Sequence, residues 1–130
     1  MSEQQMYTSI LGDAKLSLGL NPDEPDEFFD PLIIGEANAA IARLTQIGLG
    51  KLGDFIVEDS TDTWADYLAM DSGYLLPFAK SYVQKRVKLN VDPPQSGSLS
   101  SSLEQEIDKL EFNIQTAIEL HNIESEEGAV

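Results

Sequence analysis

The chain has 130 residues, with 23 Asp and Glu against 8 Lys and Arg, a formal net charge of −15, and no cysteine. That length fits one domain able to bury roughly two-thirds of its unfolded surface, and the missing cysteine excludes disulfide and thiolate chemistry. A charge of this sign is repelled by phosphate backbones, which argues against sequence-specific nucleic-acid binding. No apolar run approaches the roughly 20 residues a bilayer span needs, and MSEQQMYTSI has neither the basic start nor the apolar core of a signal peptide, so a cytoplasmic protein with no membrane contact is expected.

In chain order, Ile10, Leu11, Ala14 and Leu18 fall at helical spacing and predict a helix over 6–18, stopped by Gly19. An acidic, proline-containing link follows at 21–26. A second helix is expected over 27–47, with Phe29, Ile33, Ala37, Ala40, Ile41 and Leu44 as its stripe. Asp30-Pro31 can cap it, or it can start near Asp26, since Pro is tolerated in a first turn. Gly48, Gly50 and Gly53 fit loop positions with φ > 0.

Phe55-Ile56-Val57 reads either as a short strand or as an extended loop laid on the helices. Thr63 caps a short helix through Trp64, Tyr67 and Leu68 that Gly73 would end. The next helix, about 74–90, has Pro77 in its first turn and Leu75, Phe78, Tyr82 and Leu89 on one face. It carries Lys80, Lys85, Arg86 and Lys88, half of all basic residues, and stops at Asp92-Pro93-Pro94. Residues 95–100 read as a flexible Ser/Gly link. Ser101-x-x-Glu104 is a capping-box pattern for the last helix, whose stripe is Leu103, Ile107, Leu110, Ile114 and Ala117. After His121 the composition turns polar and acidic. The expected organisation is a helical domain over 1–121 and a flexible acidic tail over 122–130.

The expected fold is therefore all-α: a bundle of four to five helices with a long C-terminal helix and a short extended segment near 54–58. Leu11, Phe29, Ile33, Ile41, Leu44, Trp64, Phe78, Tyr82, Leu103, Ile107 and Leu110 form the expected core.

Nothing in the chain forms a catalytic set. The acidic cluster Asp23, Glu24, Asp26, Glu27 and Asp30 has oxygen ligands but neither the spacing nor the turn glycine of an EF-hand, and reads as a solvated linker that favours the following helix N-terminus. Asp59, Asp62 and Asp66 read no better as a metal site, with Ser60 and Thr61 as turn and cap residues. His121 is the single histidine and has no ligand or nucleophile partner at useful spacing. The glycines at 48–53 form no phosphate-binding loop. No enzyme activity, cofactor or metal is expected. In so acidic a chain, the basic residues Lys80, Lys85, Arg86 and Lys88 are expected to meet acidic surface, such as that of a neighbouring copy.

Four ordered segments carry a resemblance. They are Ile33–Ala40 leading into Leu44–Gly50; Phe55–Val57 followed by Thr63–Leu68; Ala79–Val83 running to Val91-Asp92-Pro93-Pro94; and Leu103–Phe112. Together they resemble the head-tail connector (adaptor) proteins of long-tailed bacteriophages, over about residues 10–120. Leu89-Asn90-Val91 is less apolar than the usual pattern, and Phe112 stands where a Trp is common. The resemblance implies a structural ring subunit, twelvefold in the virion, that docks under the portal protein. It would extend the DNA channel without binding DNA specifically, and present a face to the next neck or head-closure protein. It places the protein at the head-tail junction of the virion, and in the host cytoplasm during assembly. It also implies a portal-docking C-terminal segment, here Glu119, Leu120, His121, Ile123, Glu124, Glu126 and Glu127. The alternative reading from charge alone is a monomeric acidic binding protein, a DNA mimic or assembly regulator.

Overall fold

The computed structural model describes residues 7–49, 55–68 and 70–128. Helix α1 spans Ile10–Ser17, α2 Phe29–Gln46, α3 Trp64–Tyr67, α4 Leu76–Val91 and α5 Gly97–Gly128, with a 3-10 segment over Met70–Leu75 leading into α4. The protein is an all-α bundle, and its described residues contain no β-strand beyond an isolated bridge between Ser9 and Thr63. Gly50 and Gly53 lie outside the described residues.

Local chemistry sets the helix ends. Ser9 begins α1, its Oγ accepting from the Gly12 amide at 2.9 Å. At the other end the Leu20 amide reaches Lys15 O and the Gly19 amide reaches Leu16 O, with Gly19 at φ 80°: a Schellman stop. The same motif closes α2, where Leu49 bonds Leu44 O and Gly48 bonds Thr45 O at φ 104°. The earlier start of α2 prevails over Asp30-Pro31. Asp26 Oδ1 accepts from the Phe28 and Phe29 amides, Asp30 Oδ2 accepts back from the Asp26 amide, and Pro31 lies in the first turn.

Phe55–Val57 is an extended loop, and Asn38 of α2 holds it. The side-chain amide takes both backbone groups of Val57, donating to its carbonyl (3.0 Å) and accepting from its N–H (2.7 Å), much as a strand neighbour would. Thr63 and Asp66 form a reciprocal capping box on α3. Gly73 does not end that helix. Tyr67 does, and Gly73 sits inside the 3-10 segment that follows.

Helix α4 is the centre of the bundle, packed against α1, α2 and α5. Enclosure on three sides widens its buried face to Leu76, Ala79, Tyr82, Val83 and Val87. The expected face through Phe78 and Leu89 is only partly buried. The rest of the core is built from Ile10, Leu11, Ile33, Ile41, Leu44, Leu49, Val57, Trp64, Tyr67 and Leu68, with Ile107 and Ile114 from α5. Of the expected core, Phe29, Leu103 and Leu110 join Phe78 at its edge.

Two expectations for the start of the last helix are corrected. Residues 97–100 are helical rather than a link, because Ser96 caps the helix: its carbonyl accepts from the Ser100 amide at 3.1 Å and its Oγ from the Leu99 amide at 3.4 Å. Ser101 and Glu104 are thus interior, not a capping box. The helix also continues beyond His121 to Gly128. Extending an existing helix fixes one residue per added bond, so an acidic end can propagate where it could not nucleate.

Candidate functional site

The four basic residues of α4 do not act alike. Lys80 reaches toward α1, 3.4 Å from Asp13 and donating to Thr8 Oγ1 at 3.3 Å. Lys85 pairs with Glu106 of α5 at 3.6 Å, and Lys88 with Asp92 one turn on at 2.8 Å. At about 100° per residue, Arg86 falls among the buried positions Ala79, Tyr82 and Val83. It donates to the Tyr82 hydroxyl at 3.0 Å, with its guanidinium 5.7 Å from that ring's centre. The outward part of the basic set is therefore Lys85 and Lys88, each at least a third exposed and each in a surface ion pair. Such pairs contribute only about 0–1 kcal/mol and exchange partners at little cost.

Arg86 belongs to a polar clasp that joins three helices. Glu111 of α5 accepts from Arg43 of α2 through Nε (3.0 Å) and Nη2 (2.9 Å), and from Tyr82 Oη at 2.6 Å. Burial alone would raise the Glu111 carboxyl. The hydrogen bonds from Arg43 and Tyr82 and the charges of Arg43 and Arg86 outweigh it and bring the group below the usual carboxylate range. Tyr82 is pushed up to about 12, first by burial and then by its bond to the carboxylate. No local sequence signal could have found this clasp, since Arg43 and Glu111 are 68 residues apart.

A second junction lies near the N-terminal end of the bundle. Asp13 Oδ2 accepts from Thr8 Oγ1 at 2.7 Å and from the Trp64 indole at 2.8 Å, and faces Lys80. Parts of the acidic clusters are likewise structural. Asp30 pairs with the buried Lys15 at 2.9 Å, and Lys15 also donates to the Glu24 carbonyl. Asp59 accepts from Thr61, which lowers its carboxyl, and Asp62 caps the Glu58 and Asp59 amides. Among the described residues no group of three or more His, Cys, Asp or Glu could hold a metal ion, and no helix is long and apolar enough to cross a membrane.

Helix α5 carries apolar groups on two faces. Ile107 and Ile114 are buried, whereas Phe112, Leu120 and Ile123 are half exposed or more on the other side, in register with Lys109 and Thr116. His121 stacks on Tyr74 with ring centres 4.5 Å apart, and Ile118 lies near Gly48. Of the docking segment expected from the sequence, Glu119, Leu120, His121, Ile123 and Glu124 are exposed helical positions. Glu126 and Glu127 continue the same helix. From the sequence, Leu120 and Ile123 are expected in the docking segment, but Phe112, which falls off the apolar stripe of α5, is given no role.

A model of the family described as "Phage connector protein" matches residues 10–121. The match runs from the first residue of α1 to the histidine stacked on Tyr74. No curated protein and no solved structure matches the chain.

Proposed function

The chain belongs to the phage connector protein family, and on that premise we propose that it is a subunit of the neck ring that docks under the portal, extends the DNA channel and joins head to tail. The observation that carries this reading is the family match across every helix, from α1 to most of α5. Twelve copies would match the portal's symmetry. Lys85 and Lys88 would exchange their own acids for those of a neighbour, beside the inward-held Lys80 and Arg86. The end of α5, with Glu119, Leu120, His121, Ile123, Glu124, Glu126 and Glu127, would engage the portal as a helix rather than as a loose tail. The net charge of −15 supports a channel wall that DNA slides past, with the next neck or head-closure protein meeting the opposite face.

The decisive experiment mixes the purified full chain with the portal of the same phage and images the product by electron cryomicroscopy. Rings of the chain seated on the portal are expected. A chain that stays monomeric with and without portal overturns the proposal. Reversing Lys85 and Lys88 to Glu should weaken ring formation while leaving the monomer folded, and removing residues 122–130 should abolish portal docking but not folding. A gel shift at low salt, the condition most permissive for phosphate binding, should show no tight DNA complex.

A further inference from the structure

Lys109 is distinctive among the basic residues described. Lys15, Arg43, Lys80, Lys85, Arg86 and Lys88 all engage an acid or hydroxyl of their own chain, but Lys109 makes no hydrogen bond or ion pair with a described residue. One helical turn away on the same face stands Phe112, 67 % exposed. An unpaired cation beside a solvated aromatic ring, in a chain of net charge −15, is a surface shaped for an acidic partner with an apolar centre.

The chain itself presents such a surface elsewhere. At the start of α2, Phe28 is 69 % exposed and Leu32, one turn on, is 48 % exposed. Glu27 precedes them, and the carboxylates of Glu24 and Glu27 find no partner among the described residues. One patch is therefore cation plus aromatic ring, and the other is carboxylate plus aromatic ring and leucine. The two patches are different surfaces on different elements, so joining them between copies gives a heterologous contact, the kind that closes into a ring.

We propose that Lys109 and Phe112 of one copy dock on Glu27, Phe28 and Leu32 of a second copy. This rests on the neck-ring reading and gives it a specific lateral contact. Leu120 and Ile123, farther along α5, remain for the portal.

The absence of cysteine makes the test clean. Full-length E27C carrying a tag is mixed with untagged K109C and oxidised mildly at about 1 mM chain, which half-populates even a millimolar contact. The expected product is the tagged–untagged cross-link, at least about tenfold above either variant alone and above a control pairing through exposed Ala42 (A42C). The E27C/K109C double variant should give a ladder of higher oligomers. Yields no greater than with A42C overturn the proposal, and so do cross-links formed equally by each variant alone, which would mean a symmetric contact. Charge reversal adds a second arm. K109E should weaken association by up to about fivefold per contact, and E27K in the same chain should restore it. If rings form on the portal but neither arm responds, this contact is wrong while the neck-ring reading stands. If the E27C and K109C pair fails to cross-link and the wild-type chain does not assemble on the portal, both fail.

Discussion

Helices α4 and α5 are consecutive in the chain, separated only by the Asp92-Pro93-Pro94 corner and Gln95-Ser96, yet they spend their apolar residues in opposite ways. Helix α4 is enclosed by α1, α2 and α5, and its large apolar groups are buried or partly so. Helix α5 is twice as long, 32 residues against 16, and buries only one line of side chains. Phe112, Leu120 and Ile123 stay in water, where they add nothing to the fold of a single copy. The proposed contacts with a second copy and with the portal both draw on this line. On the proposed reading, the bundle contains one helix that holds it together and one that offers it to other molecules.

Substitutions can break this contrast in graded steps. Tyr82→Ala in α4 removes a fully buried ring and a donor to Glu111. It should cost about 3–5 kcal/mol and lower the thermal midpoint by about 10 °C or more. Ile114→Ala on the buried line of α5 should cost about 2–4 kcal/mol, measurable by urea unfolding. A similar loss there would show that the inner face of α5 belongs to the fold as fully as α4 does.

Glu111→Gln, at the clasp between the two helices, should cost about 1–3 kcal/mol by weakening charge-assisted bonds from Arg43. It also carries a pH signature. The folded-state pKa of Glu111 lies below its unfolded value near 4.5, so the unfolded chain binds more protons in this range. Its contribution is fully present above the unfolded pKa and is lost as pH falls through the folded one. The wild-type chain should therefore lose more stability than Glu111→Gln as pH drops below about 4.5. An identical acid limb in both proteins would remove the clasp from the account. At the alkaline end, Tyr67 and Tyr82 are both raised to about 12, so stability should decline as pH climbs from about 10 through 12.

The smallest expected effect is the sharpest discriminator. Phe112→Ser on the exposed line should change stability by no more than about 0.5 kcal/mol. A large destabilisation would show that this face of α5 is not free in the single copy.

What could be read from the sequence was whatever neighbouring residues decide. Thr63 caps α3, Gly19 closes α1, and Asp92-Pro93-Pro94 ends α4, because each acts within one turn of its own position. The stripe of α2 was equally legible, since Ile33, Ala37, Ala40, Ile41 and Leu44 repeat over about three turns. Where two local signals competed, the choice needed the fold. Ser96 and Ser101 both precede plausible helix starts, and Ser96 prevails because Gly97 and the serines after it are carried by a long helix packed on α4. The α4 face was misjudged because three neighbours widen it beyond a single stripe. The basic set read as one patch in sequence, but its members turn to Asp13, Glu106, Tyr82 and Asp92 in four directions. Lys109, unengaged among the described basic residues, stands out only once every other basic pairing is known.

Trp64 is the single tryptophan, fully buried, with its indole N–H on Asp13 at 2.8 Å. It therefore serves as a built-in optical probe of the junction of α1, α3 and α4, and its emission should shift red only when that junction opens. The outer turns of α5 lie outside its view. Unwinding there would register in far-ultraviolet circular dichroism while the fluorescence stayed blue. Two ordinary spectra, taken along one temperature ramp, would thus separate fraying of the presenting helix from collapse of the body that carries it.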